Sequence, residues 1–235
     1  LYKKSVTFVI DYSGSMQAQQ RIKAAVNGAM EIIRSQVNPQ DSVSIIIFNS
    51  SYREILPLTL KGEYDEEDSP IFKALSALKY PNYATAFYDA LGRALEELNK
   101  IESSEHRWVI ALTDGQDNSS DTYSLDVLEG IFTEKDRLRR KRPLTIEGFI
   151  RDNHLDVNLI VIGVGQELKA AVEKRVRSKK TGKQMTTEEL LESICDNIPQ
   201  GQYLSVVDSI DVRMDIEKAI IDEEVSSSNK SSSLV

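Results

Sequence analysis

The sequence predicts an α/β fold: a doubly wound, mostly parallel six-stranded sheet with one antiparallel edge strand and helices on both faces. Three observations carry that expectation. Short apolar runs at residues 6–10, 42–48, 108–112 and 159–164 lack polar alternation, as strands covered on both sides do. Amphipathic helical patterns separate them. The runs lead into Asp11, Asn49, Thr113 and Gly165, and the carboxyl ends of strands are where open α/β sheets bind ligands.

The elements follow in order. Val6 to Ile10 runs into Asp11-Tyr12-Ser13-Gly14-Ser15, a strand followed by a tight turn. Residues 21–36 place Ile22, Ala25, Val26, Ala29, Met30 and Ile33 on one helical face, and Asn38-Pro39 closes that helix. Residues 42–48 form a second buried strand, and the more polar residues 52–58 a hairpin edge strand closed by Pro57. Residues 61–68 read as an acidic loop. Ser69-Pro70 marks a helix start. Pro81 to Ala84 breaks the chain, and Thr85 opens a helix whose buried face holds Phe87, Ala90, Leu91, Ala94, Leu95 and Leu98. A strand at 108–112 runs into Thr113-Asp114-Gly115. Further expectations are a helix over 124–142, a strand at 159–164, a capping box of Thr186 with Glu189 opening a helix to Ile198, a strand at 203–207 and a helix at 210–221. The chain divides into one domain over 1–225 and a Ser-rich tail over 226–235 expected to be disordered.

Composition narrows the function. The 235 residues suffice for one large α/β domain, and a net charge of −8 argues against generic nucleic-acid binding. Cys195 is the only cysteine, so a disulfide-built module is excluded. No apolar run approaches the roughly 20 residues that cross a bilayer. Leu1 begins almost directly in the first strand, so the expectation is a domain of a longer protein.

If the strands are parallel, three segments meet at one rim: Asp11 to Ser15, Thr85, and Thr113 to Gly115. They offer two carboxylates, Asp11 and Asp114, and three hydroxyls, Ser13, Ser15 and Thr85. Hard oxygens of this kind suit Mg²⁺, which takes about six oxygens at ~2.1 Å. Taken singly, each of these residues also suits a turn or cap.

The pattern resembles the von Willebrand factor type A domain, over about residues 2–221. That family's metal-ion-dependent adhesion site is written Asp-x-Ser-x-Ser, then Thr, then Asp, which fall here at Asp11, Ser13, Ser15, Thr85 and Asp114. The resemblance implies a Rossmann-like fold, Mg²⁺ with Mn²⁺ or Ca²⁺ as alternatives, hydroxyls on the ion with aspartates acting through water, and no enzymatic activity. It implies a protein partner whose Asp or Glu carboxylate completes the ion's coordination. The helix opening at Thr85 would add an N-terminus favouring that anion.

Other readings stay beside this one. A Mg²⁺-dependent phosphoryl-transfer enzyme with an aspartate nucleophile would want an acid where Ser13 stands. His106 and His154 read as surface residues, and Cys195 as core. From Glu134 to Lys183, fourteen cations face seven acids, so a basic segment over 135–183 sits on an acidic chain. Its densest part, Arg139, Arg140, Lys141 and Arg142, is a candidate surface for an acidic partner, an anionic membrane surface or RNA, and residues 143–156 a candidate insertion. A scaffold acting through that surface, with a structural or unused metal site, is the second reading. One cysteine, and a glycosylation pattern at Asn118 that would crowd the site, favour an intracellular location, nuclear or cytoplasmic. Monomer is the default state.

Overall fold

Strand β1 (Lys4–Asp11) is buried from Ser5 onward, and its side chains divide by parity between two cores. Val6, Phe8 and Ile10 enter one, while Val9 enters the other. The same division recurs in β2 (Ser42–Phe48), where Val43, Ile45 and Ile47 oppose Ile46 and Phe48. A strand apolar at both parities must be covered on both faces, which is why these runs lack polar alternation.

The computed structural model describes residues 3–101, 105–115, 117–124, 144–170, 182–196 and 198–206. The other elements are α1 (Arg21–Gln36), β3 (Tyr52–Leu60), α2 (Pro70–Ser76), α3 (Phe87–Asn99), β4 (His106–Thr113), β5 (Tyr123–Ser124), β6 (Leu144–Thr145), α4 (Ile146–Asp152), β7 (Asn158–Val164), α5 (Thr187–Asp196) and β8 (Gly201–Val206), with 3-10 turns at Gly14–Gln20 and Gln166–Lys169. The main sheet runs β3-β2-β1-β4-β7-β8, and only β3 pairs antiparallel. α1 and α2 cover one face; α3, α4 and α5 cover the other. Strand order reverses between β1 and β4, so their carboxyl ends flank a switch-point crevice.

The fold class is the expected one. Pro57 does not close β3 but lies within it, where register shifts put extra β3 residues opposite Val43 to Ile46. An edge strand tolerates a residue without an N–H there, and the bulge blunts the edge. Thr85 does not open α3, which begins at Phe87. Within the stretch expected as an insertion, residues 144–156 are not a bare connection: Thr145 caps α4 by accepting from the Gly148 N–H at 3.0 Å. The capping box forms, with Thr186 N donating to Glu189 Oε2 at 2.9 Å and Glu189 N to Thr186 Oγ1 at 3.2 Å. Ser124 belongs to β5, and the rest of the helix expected to 142 lies outside the described residues. So do Arg139, Arg140, Lys141 and Arg142, the cations at 174–180, the helix expected at 210–221 and the tail at 226–235. Among the described residues no helix is long and apolar enough to cross a membrane.

Candidate metal centre

β1 ends on Asp11, which is fully buried. The chain turns at once: Ser13 N donates to Asp11 Oδ1 at 2.9 Å, the local turn that an aspartate makes with the amide two residues on. Asp11 Oδ2 accepts from the Thr113 hydroxyl at 2.7 Å, so the last residue of β4 secures the last residue of β1. Ser13 Oγ then lies 3.2 Å from Ser15 Oγ, and Ser15 Oγ donates to Asp114 Oδ1 at 2.9 Å.

Thr85 reaches the same rim through its backbone. Two residues earlier, the Tyr83 carbonyl accepts from Gly14 N at 2.9 Å, tying the Thr85 loop to the first turn. Thr85 N donates to Asn118 Oδ1 at 2.9 Å, and Thr85 O accepts from the amides of Asn118 and Ser119, both at 3.0 Å. The structure therefore joins Asp11, Ser13, Ser15 and Asp114 by side-chain or turn hydrogen bonds, and it holds Thr85 on the adjoining loop.

The helix start near the site has a different role from the one expected. The Tyr88 amide donates to Asp117 Oδ2 at 2.8 Å and the Asp89 amide to Ser120 Oγ at 2.9 Å, so the loop after β4 caps α3. Those donors are already engaged and do not serve an incoming anion. Asp117 itself is pushed above the ordinary aspartate range by burial.

Sequence reasoning missed Arg21, the first residue of α1. Its guanidinium is 5% exposed, and Nη1 donates to Asp114 Oδ2 at 2.7 Å and to the Ser15 carbonyl at 3.3 Å. Gly165, at the end of β7 with φ +106, makes room for it: a Cβ there would sit 2.8 Å from Arg21 Nε. Asp11 has no such cation among its hydrogen-bond partners. Burial first, and Asp114 second, push its carboxyl up to about 6.

Among the described residues no three or more His, Cys, Asp or Glu side chains gather into a metal-holding group. The rim instead mixes two carboxylates with hydroxyls, a hard-oxygen set. The contacts of 3.2 and 2.9 Å along Ser13 Oγ, Ser15 Oγ and Asp114 Oδ1 are hydrogen bonds that gather hard oxygens at one rim, and the chemistry of that donor set suits an ion such as Mg²⁺.

Comparison with known proteins agrees with this frame. Residues 6–116 match the family model of the von Willebrand factor type A domain, a stretch that ends just past Asp114. Over that stretch the chain is similar to a von Willebrand factor type A domain. Inter-alpha-trypsin inhibitor heavy chain H1 of Mesocricetus auratus is 28% identical over 169 residues, which are 68% of this chain and 17% of that protein. The chain thus spans about a sixth of the length of that relative. BatB of Bacteroides thetaiotaomicron superposes with a TM-score of 0.59 at 19% identity, covering 94% of this chain and 98% of that one. The pilus adhesin SpaC of Lactobacillus rhamnosus GG gives 0.62 at 16%, covering 95% of this chain and 30% of that one. Type A domains form a family of protein-interaction and adhesion modules.

Proposed function

We propose that this type A domain is a divalent-metal-dependent protein-binding module that grips an Asp or Glu side chain of a partner. Ser13, Ser15 and Thr85 would hold Mg²⁺ or Mn²⁺, with Asp11 and Asp114 supplying the charge. The observation that carries the reading is the hydrogen-bonded run of Ser13 Oγ, Ser15 Oγ and Asp114 Oδ1, which gathers hard oxygens of the type such an ion takes at one rim of the sheet. A bound divalent cation would supply an electrophilic position open to a carboxylate.

Charge explains why a carboxylate is the fitting ligand. Asp11 and Asp114 with the buried Arg21 leave the cluster at a formal −1, and a divalent ion would bring it to +1. One partner carboxylate then neutralises a buried site. Without Arg21 the two aspartates would cancel the ion and weaken the pull on the partner. The cluster pairs no nucleophile with a base and a phosphate-binding lysine, so we read the module as non-enzymatic.

Calorimetric titration with Mg²⁺ and Mn²⁺ tests the metal. Wild-type protein should bind one ion per chain, and Thr85→Ala and Asp11→Ala should each weaken binding at least about tenfold, the effect of losing one ligand or its charge. Absence of binding by wild-type protein would sink the proposal.

A further inference from the structure

We infer that Arg21 sets the ion preference of the rim: by holding Asp114 Oδ2, it makes the site favour Mg²⁺ or Mn²⁺ over Ca²⁺. This rests on the metal-dependent reading above and narrows it to one size of ion. Among the described residues, every oxygen of the two aspartates already accepts a hydrogen bond. Asp11 Oδ1 accepts from the Ser13 amide and Oδ2 from the Thr113 hydroxyl. Asp114 Oδ1 accepts from the Ser15 hydroxyl, and Oδ2 from Arg21 Nη1 at 2.7 Å. Three of these four donors are neutral, and a carboxylate oxygen beside a neutral donor can offer its second lone pair to an ion. The fourth donor sets a full positive charge against any cation that Oδ2 would bind.

The guanidinium is held in place. Nη1 also donates to the Ser15 carbonyl at 3.3 Å, so it bridges Asp114 to the turn that carries Ser13 and Ser15. Its side chain is buried, and Gly165 leaves the space that it fills. Arginine does not relieve the conflict by losing its proton. A divalent ion on Oδ2 would stand no more than about 5.3 Å from Nη1, the sum of the 2.7 Å contact and the longest usual metal–oxygen bond of about 2.6 Å. Burial keeps salt and water from screening that repulsion. Asp114 is left with Oδ1 alone for an ion.

That limit falls unequally on the candidate ions. Ca²⁺ collects about six to eight oxygens and often takes both oxygens of one carboxylate. Mg²⁺ keeps several of its waters and needs only one or two carboxylates, and Mn²⁺ shares its octahedral oxygen chemistry. A hydroxyl-rich rim with Asp114 confined to one oxygen serves the smaller ions and leaves Ca²⁺ short of ligands.

Calorimetric titration of wild type, Arg21→Gln and Arg21→Lys with Mg²⁺, Mn²⁺ and Ca²⁺ tests this, with thermal unfolding in chelator to show that each variant folds. Wild type should bind Mg²⁺ and Mn²⁺ at least about tenfold more tightly than Ca²⁺. Gln removes the charge but can still donate a hydrogen bond. Both Mg²⁺ and Ca²⁺ should then bind more tightly, with Ca²⁺ gaining at least about fivefold more than Mg²⁺. Lys keeps the charge and should keep the wild-type ratio within about threefold. An arginine with a purely structural role would, on replacement by Gln, weaken both ions alike and leave their ratio unchanged. That result, Ca²⁺ binding to wild type as tightly as Mg²⁺, or Lys shifting the ratio as far as Gln does, would overturn the inference and leave the metal site standing. If Gln does not fold, a wild-type preference kept in Lys supports the inference and one lost in Lys overturns it. Failure of wild type to bind any of the three ions would overturn the metal reading, and the role of Arg21 with it.

Discussion

β1 and β4 each deliver one aspartate to the same rim, and the two are held by opposite means. Asp114 is fixed by a buried cation, with Arg21 Nη1 at 2.7 Å from Oδ2, while Oδ1 faces the Ser15 hydroxyl. Among the described residues Asp11 accepts from neutral donors, the Ser13 amide at 2.9 Å and the Thr113 hydroxyl at 2.7 Å. Burying a carboxylate is costly unless a charge or several hydrogen bonds compensate it. Asp114 has its compensation built in, whereas Asp11 does not and is pushed up to about 6. The difference teaches how a site can be both rigid and receptive. One carboxylate is held by a cation, and the other, among the described residues, by neutral donors.

Removing Asp114 should therefore have the largest effect. Asp114→Ala leaves a guanidinium that is 5% exposed facing a methyl group. Breaking one side of a buried ion pair costs about 3–5 kcal/mol. Urea unfolding in chelator should show that loss. Arg21→Met combined with Asp114→Asn should recover much of it, because neither charge then remains buried alone. A loss below about 1 kcal/mol for Asp114→Ala would mean that the pair does not organise the site.

What was legible in the sequence follows the range of the interaction. The buried strands and the span of α1, Arg21–Gln36, could be read because apolar periodicity is local. The Thr186 and Glu189 cap could be read because its partners are three residues apart. That Asp11, Ser13, Ser15 and Asp114 meet at one rim was legible, since strand ends in a parallel sheet converge. Arg21 was not: a charged residue opening an amphipathic helix looks solvated, and its partner is 93 positions away. The caps on α3 were hidden likewise, since Asp117 and Ser120 lie about thirty positions from the amides they accept. α4 escaped because its seven residues fall short of a periodicity window.

Gly165 sharpens the contrast from a third strand. With its φ of +106, and only 2.8 Å between the place a Cβ would take and Arg21 Nε, the residue directly after β7 is a glycine, which leaves room for the arginine. Gly165→Ala should cost about 1–2 kcal/mol for the backbone alone. Displacement of Arg21 should add to that and loosen the Asp114 side of the site, leaving the Asp11 side in place. Thermal unfolding read together with the Mg²⁺ titration checks both parts. Unchanged stability would mean that Arg21 does not need the space.

The smallest effect on the fold should come from Asp11→Asn, and it is the sharpest test of the comparison. The amide oxygen can still accept from the Ser13 amide, and the Thr113 hydroxyl can turn to accept from the amide nitrogen. What disappears is a buried negative charge that Asp114 repels. Metal-free Asp11→Asn should therefore match wild type within about 1 kcal/mol or exceed it, since relief of charge burial offsets any weaker hydrogen bond. Its stability should no longer rise on adding Mg²⁺, because the carboxylate without its own cation is the one the ion would compensate. Urea unfolding of wild type and variant, each with chelator and with Mg²⁺, gives both comparisons. If Asp11→Asn loses as much as Asp114→Ala in chelator, the two aspartates are structurally equivalent and the division of labour between β1 and β4 is wrong.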